Sequence, residues 1–355
     1  MAAETHVARR PVLAALPRIT GLLTRVIGYG LVALVLIWLA YNAYKTPAQF
    51  LSVLLTGITV GSIYALVALG YTLVYGIIEL INFAHGDVFM WGTLIALWVG
   101  ADFFGLDGSQ NGLVTTVLVI VTLIACMAFC GTLNMAIERL AYKPLRNAPR
   151  LAPLITAIGM SFILQNIAAA ITNFRFQSVG NIFPTTPLFY LGGVPYRAKS
   201  LIVVLLTIPV LLVLVYLVKR TRAGKAMRAT AQDNDAARML GIDVDRTISF
   251  TFALGGALAG AGGLLFLYYF TQTRYDLGFV LGLFAFTAAV LGGIGNLTGA
   301  FLGAMLIGLI QNFNEGLSYG APGSDWTESI VFGILILILV FRPQGLLGEQ
   351  TADRA

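Results

Sequence analysis

Residues 50–78 contain no Asp, Glu, Lys, Arg or His, and a run of about 20 apolar residues already crosses a bilayer as a helix. That uncharged run constrains the fold more than any other feature, because backbone groups in hydrocarbon must find their hydrogen bonds within the protein. Further continuous apolar runs lie at 26–44, 113–138, 151–171, 201–218, 248–270 and 328–341. Two more are interrupted by glycine: 83–100, and 280–313, which splits around Gly292-Gly293-Ile294-Gly295-Asn296. The expected fold is all-α, a polytopic membrane bundle of eight to ten transmembrane helices with glycine-broken or re-entrant segments.

Composition removes the soluble alternatives. The chain is 58% hydrophobic and 11% charged with a mean hydropathy of +0.86, against roughly 25% charged in ordinary soluble domains. A net charge of +6 raises the option of nucleic acid, but the cations stand at the ends of apolar runs, where they set orientation. With the N-terminus, 139–150, 219–247 and the C-terminus in the cytoplasm, 17 of the 22 Lys and Arg residues lie there. The other five are Lys45, Arg175, Arg197, Lys199 and Arg274. Both termini are therefore expected in the cytoplasm. The first run, 26–44, follows Arg9, Arg10, Arg18 and Arg25 but is longer than a signal-peptide core, and a retained anchor helix is expected. Cys126 and Cys130, one turn apart in an apolar run, suit packing rather than a disulfide or zinc.

Polar residues inside apolar segments are where function is expected in a membrane protein. The stretch 71–92 holds Glu79, Asn82, His85 and Asp87, with Gly76 and Gly86 as the expected helix breaks on either side. Gly292, Gly293 and Gly295 mark the second break. Asn82, His85 and Asp87 either bond the freed backbone of a broken helix, with Asp87 capping a helix that starts near Val88, or contact substrate. Gln165, Asn166, Asn296 and Thr298 either line the same pathway or bond across helices. The pairs Gly57/Gly61, Gly256/Gly260 and Gly299/Gly303 are expected to bring helices close together. On the outer side, 172–200 has room for a short re-entrant or amphipathic piece. On the cytoplasmic side, 219–247 mixes both charge signs, with a helix expected over 226–240 that Gly241 ends. A mixed-charge helix jutting from a membrane bundle suits a protein partner better than anionic lipid, which would repel Asp233, Asp235, Asp243 and Asp245.

Catalytic signatures are missing from the sequence. Gly224-Lys225 lacks the rest of a phosphate-binding loop, and Gly293-Ile294-Gly295 has Thr298 in place of the third glycine of a dinucleotide fingerprint. Only His6 and His85 are histidines, so no His-rich metal site is expected, and the chain is expected not to be an enzyme. The competing transport class is a self-sufficient secondary transporter or channel, for which His85 with Asp87 is the candidate ion-coupling pair. A non-transporting membrane scaffold is the third class.

Four ordered blocks resemble a known family: 57–92, 138–146 (ERLAYKPLR) with 154–166, 224–246 (GKAMRATAQDNDAARMLGIDVDR), and 286–308 (FTAAVLGGIGNLTGAFLGAMLIG). Together they resemble the LivH-type permease of branched-chain amino acid ABC importers over residues 50–348. The resemblance implies a permease for branched-chain or similar hydrophobic amino acids, with urea, short amides and other small organic solutes as the alternative cargo. It also implies a second, LivM-like permease or a homodimer, two cytoplasmic ATPase subunits that use ATP-Mg, and an extracytoplasmic binding protein. No cofactor on this chain is implied, and the setting is the bacterial inner membrane. Arg228, Asp233, Asp235, Ala236, Ala237 and Gly241 fall in the ATPase-coupling loop, 219–247. Residues 1–49 then form a basic extension with an extra helix, and 349–355 a tail.

Overall fold

The computed structural model describes residues 12–146, 148, 149, 151–342 and 344–348. Helix α1 spans Val12–Lys45 and α2 Pro47–Ile78, and α3 (Ala84–Ile95) continues as wider π turns over Ala96–Phe103. Next come α4 (Gly112–Ile137, extended by π turns over Glu138–Tyr142), α5 (Leu151–Thr172) and α6 (Ala198–Arg220). Two short helices follow, α7 (Arg222–Gln232) and α8 (Asn234–Met239), before α9 (Val244–Phe270), α10 (Leu277–Gly292), α11 (Leu297–Gly316) and α12 (Thr327–Phe341). Strand β1 (Gln177–Ser178) pairs antiparallel with β4 (Gln272–Thr273), and β2 (Pro187–Leu191) forms a hairpin with β3 (Val194–Arg197). Among the described residues, seven helices are long and apolar enough to cross a membrane, and α10 is a shorter apolar helix.

The bundle has a hairpin end, carrying β2–β3, and an opposite end carrying α7 and α8. The α3 segment starts beside Asn134 and Tyr142 and its π extension leads to a loop where Gly108 abuts Asn181. It therefore runs the length of the bundle and does not re-enter. The α10–α11 link lies at the α7 end, with Gly293 against Gly345 and Gly348, so that pair also goes down and back. The 172–200 segment is a strand pairing and a hairpin, not a helix.

The core is α2 and α9, largely buried along their lengths, and small residues explain how neighbours reach them. A Cβ at Gly256 would sit 2.3 Å from the Cys130 carbonyl oxygen, and one at Gly260 2.4 Å from that of Cys126. The cysteines are thus free, buried packing residues on α4. Gly61 faces the Met305 backbone of α11, and Gly303 faces Ala288 of α10. Such contacts hold helices together in lipid, where water exclusion contributes little. By contrast, Ile155, Phe162, Leu212 and Ile336 point outward from α5, α6 and α12, as hydrocarbon requires. Helix α1 is fastened at the hairpin end: Trp38 Nε1 and Asn42 Nδ2 donate to the Tyr319 carbonyl at 2.7 and 3.1 Å, and Tyr319 N–H donates back to Asn42 Oδ1.

Two sequence expectations need correction. Gly76 lies inside α2 and Gly86 inside α3, and the first break is Glu79–Phe83. Glu79 ends α2 in the left-handed region, φ 52°, its N–H bonding Tyr75. Gly86 serves proximity instead, since a Cβ there would lie 2.2 Å from the Gly278 carbonyl oxygen. At the second break the turn falls on Gly293 (φ 105°) and Gly295 (φ 88°), conformations L side chains rarely adopt, while Gly292 closes α10 against Gly299. The single helix expected over 226–240 is two, parted at Asp233. That carboxylate accepts from the N–H groups of Asp235 and Ala236 at 2.9 and 3.0 Å and caps α8. Gly241, at φ 81°, ends α8 as expected, with Ile242 N–H bonding the Ala237 carbonyl.

Candidate functional site

Two of the polar residues around the first break, Asn82 and Asp87, stitch helices together. Asn82 donates to Asn134 Oδ1 at 3.3 Å and accepts from Tyr142 Oη at 2.8 Å, and Asn134 donates to the Phe252 carbonyl. The break is thereby tied to α4 and α9. Helix α3 starts at Ala84, not near Val88, so Asp87 sits within its first turn instead of capping it. There the helix dipole favours a negative group, and Asp87 Oδ1 accepts from Gln165 Nε2 at 3.0 Å. Gln165 also donates to Ser161 Oγ, so Asp87 belongs with α5.

His85 faces the other way. Its ring lies edge-on to Tyr71, centroids 4.6 Å apart, in space left by Gly70, where a Cβ would come 2.5 Å from Nε2. It is fully buried and neither ring nitrogen makes a well-formed hydrogen bond. Two positions along a helix differ by about 200°, so His85 and Asp87 serve α2 and α5 separately. They do not form the joint ion-coupling pair that a secondary transporter would need. Asn166 is exposed on the outward face of α5, its amide bonded to the Phe162 carbonyl at 2.8 Å.

Open space lies at the α7 end. A cavity of about 620 Å³ is bounded by α2, the end of α6, α7 and the α10–α11 link, within the usual range of small-molecule sites. Thr72, Gly76, Ile77, Lys219, Arg228 and Thr298 are among its walls, and no carboxylate is. Of the second-break candidates, Thr298 lines this space. Asn296 borders it too, but its side chain caps α11 through Gly299 N–H (3.0 Å) and holds the Leu347 carbonyl (2.8 Å).

The α7–α8 arm divides the coupling residues by role. Thr221 caps α7 through Gly224 N–H, and the Arg228 guanidinium binds the Val218 carbonyl, fixing α7 to the end of α6. Ala237 is buried beneath α8 and Ala236 half-buried, whereas the Asp235 side chain is 90% exposed. Met239 and Leu240 are more than 80% exposed. Their apolar side chains stand at the tip of the arm, and in sequence they read as ordinary helix residues.

Sequence reasoning also missed an ionic cluster at this end. Glu138 is fully buried, yet it accepts from Ser249 Oγ at 2.6 Å and pairs with Arg146. Arg146 also pairs with Asp245 at 2.6 Å, and Lys143 reaches Asp245 at 2.9 Å. The cluster fastens the α4–α5 connection to the first turn of α9, just after the arm. Its signal was present in ERLAYKPLR, where a Glu and an Arg eight residues apart adjoin an apolar span.

A family model described as the branched-chain amino acid transport system / permease component matches residues 53–340. The chain is 37% identical over 309 residues to BraD, a high-affinity branched-chain amino acid transport system permease protein of Pseudomonas aeruginosa, covering 86% of this chain and 98% of that protein. It is 36% identical over 310 residues to the corresponding LivH of Escherichia coli, covering 86% and 97%. A probable LivH of Methanocaldococcus jannaschii is 30% identical over 302 residues, covering 81% and 89%.

Proposed function

The chain belongs to the permease family of branched-chain amino acid transport systems, and from that premise we propose that it forms part of the membrane path of an ATP-binding-cassette importer for branched-chain or similar hydrophobic amino acids. It is a multi-pass membrane protein, a transport subunit and not an enzyme. The observation that carries the cargo is the near end-to-end similarity to BraD and LivH.

The working assembly contains a second permease or a second copy of this chain, two cytoplasmic ATPases that use ATP-Mg, and an extracytoplasmic binding protein. Both termini and the α7–α8 arm face the cytoplasm of a bacterial inner membrane, an orientation supported by the excess of Lys and Arg there. The arm docks on an ATPase through Asp235, Met239 and Leu240, with Ala237 and Gly241 setting its shape. Closure of the ATPases moves the arm, and the Arg228 bond to α6 passes that motion to the walls of the 620 Å³ cavity. Access then alternates between the two ends by tilting of packed helices. A cavity whose walls combine Thr72, Thr298 and apolar groups with Lys219 and Arg228, and hold no carboxylate, leaves the ammonium of a zwitterion unpaired and suits passing contact in transit. Asn82, Asp87 and Gln165 act in this scheme as polar stitches of the moving bundle, and His85 as a packed ring against α2.

Uptake in cells tests the reading. A strain without the chromosomal copy should lose high-affinity uptake of L-leucine, L-isoleucine and L-valine and regain it from a plasmid copy. Unchanged uptake of these, with loss of urea or short-amide uptake, overturns the cargo assignment.

A further inference from the structure

A second cavity, of about 340 Å³, lies at the hairpin end between the start of α2, strand β3, the first turn of α6 and the end of α9. Two cations, Arg197 and Lys199, line it, and no carboxylate does. Among the described residues neither cation makes an ion pair, and the exposed Arg197 guanidinium has no side-chain hydrogen bond within the chain, its backbone alone being paired in the hairpin. Lys199 Nζ reaches the Tyr269 carbonyl at 3.4 Å and lies 4.9 Å from the centre of that ring. Arg197 is exposed and Lys199 half-buried, so most of the donors that a guanidinium and an ammonium carry are left to solvent or to a bound group. Two like charges held together repel, and the positive end of the α6 dipole adds to the same sign, so an anion between them relieves all three.

The rest of the lining narrows the anion. Ser52, Thr56 and Ser200 supply hydroxyls, and Leu55, Val194 and Pro195 supply an apolar wall. The Tyr196 phenol, protonated at neutral pH like any tyrosine, adds a further hydroxyl to the lining. The volume is near the lower limit for small-molecule sites, about 300 Å³. Two cations beside a short apolar lining match a small carboxylate with an aliphatic chain.

We propose that this pocket binds the carboxylate of the incoming amino acid, held by Arg197 and Lys199, with its side chain against Leu55, Val194 and Pro195. The inference rests on the transport reading above and adds a binding site to it. With no acidic group for the ammonium, the pocket grips one end of the zwitterion and releases it readily. It lies along the α2–α6 seam, which has the 620 Å³ cavity at its other end.

Saturation-transfer NMR suits weak binding of this kind. The complete transporter, in phosphatidylcholine nanodiscs and without binding protein, is exposed to L-leucine, to 4-methylpentanoate (carboxylate, no ammonium) and to 3-methylbutylamine (ammonium, no carboxylate). The first two should bind and the amine should not. Arg197→Gln and Lys199→Gln should each weaken 4-methylpentanoate about 10-fold, the loss of one charge-assisted hydrogen bond, while Arg197→Lys retains most of the binding. Equal binding by wild type and the Arg197→Gln/Lys199→Gln variant overturns the proposal, as does equal binding of the amine. So does an effect confined to phosphatidylglycerol retention or to binding-protein affinity, which would assign the cations to lipid phosphate or to a protein carboxylate. Parallel uptake separates the two readings. Arg197-dependent 4-methylpentanoate binding without leucine uptake sinks the cargo and leaves the pocket, and leucine uptake without such binding does the reverse.

Discussion

Replacing Arg146 with Met should destabilise the protein far more than replacing Lys143 with Met, although both cations pair with Asp245. The Lys143–Asp245 pair is 47% and 44% exposed, and ion pairs in such surroundings contribute about 0–1 kcal/mol. Arg146 is 22% exposed and its other partner, Glu138, is fully buried. Removing one member of a buried pair typically costs about 3–5 kcal/mol, because the remaining charge is stranded. Ser249 still donates to Glu138, which places the expected loss near ~3 kcal/mol. Adding Glu138→Gln removes the stranded charge and should recover about 2 kcal/mol of it. The assay is SDS-induced unfolding in bicelles, followed by tryptophan fluorescence. Equal losses for Arg146→Met and Lys143→Met, or no recovery in the double variant, would refute the assignment of this cluster as a buried clamp.

Three further outcomes follow from the geometry. Asp235→Arg, or Gly241→Val at φ 81°, where a β-branched residue is strained, should leave the ATPases active but cut uptake per ATP severalfold, and normal coupled transport in both variants would remove the docking role of the arm. Thr298→Cys should react with a membrane-impermeant maleimide in inside-out vesicles and not in right-side-out ones. Cys126 and Cys130, fully buried, should stay unlabelled in both, and labelling of Thr298→Cys from the outside reverses the orientation. Gly260→Leu should separate α4 from α9 and cost about 1–3 kcal/mol or more. On α12, Gly333→Ala, with nothing within 4 Å, should be neutral by the same unfolding assay.

The α-helical membrane class and the two breaks were legible because uncharged runs of bilayer length admit few alternatives. The glycine pairs were legible for a related reason, since small residues at helical spacing have one main use in lipid. The positions of the breaks were not fully readable. Gly76 and Gly86 looked like punctuation, but in a membrane helix a glycine serves close approach as readily as bending, and the first turn instead falls on Glu79 in a left-handed conformation. His85 and Asp87 looked like a pair because they are two residues apart, and helix geometry sends them to different neighbours. The division of 226–240 at Asp233 escaped notice because capping by Asp competes with helix continuation in a way composition does not resolve. The Glu138–Arg146–Asp245 cluster needed the fold itself, which brings α9 beside the α4–α5 connection.

The most direct test of the central claim is initial-rate uptake of L-leucine in proteoliposomes holding this chain, its partner permease, both ATPases and the binding protein. The account predicts uptake that requires ATP hydrolysis, and none by this chain alone under a proton or sodium gradient. Gradient-driven uptake by the isolated chain, or uptake by the full assembly that does not depend on ATP, would contradict it.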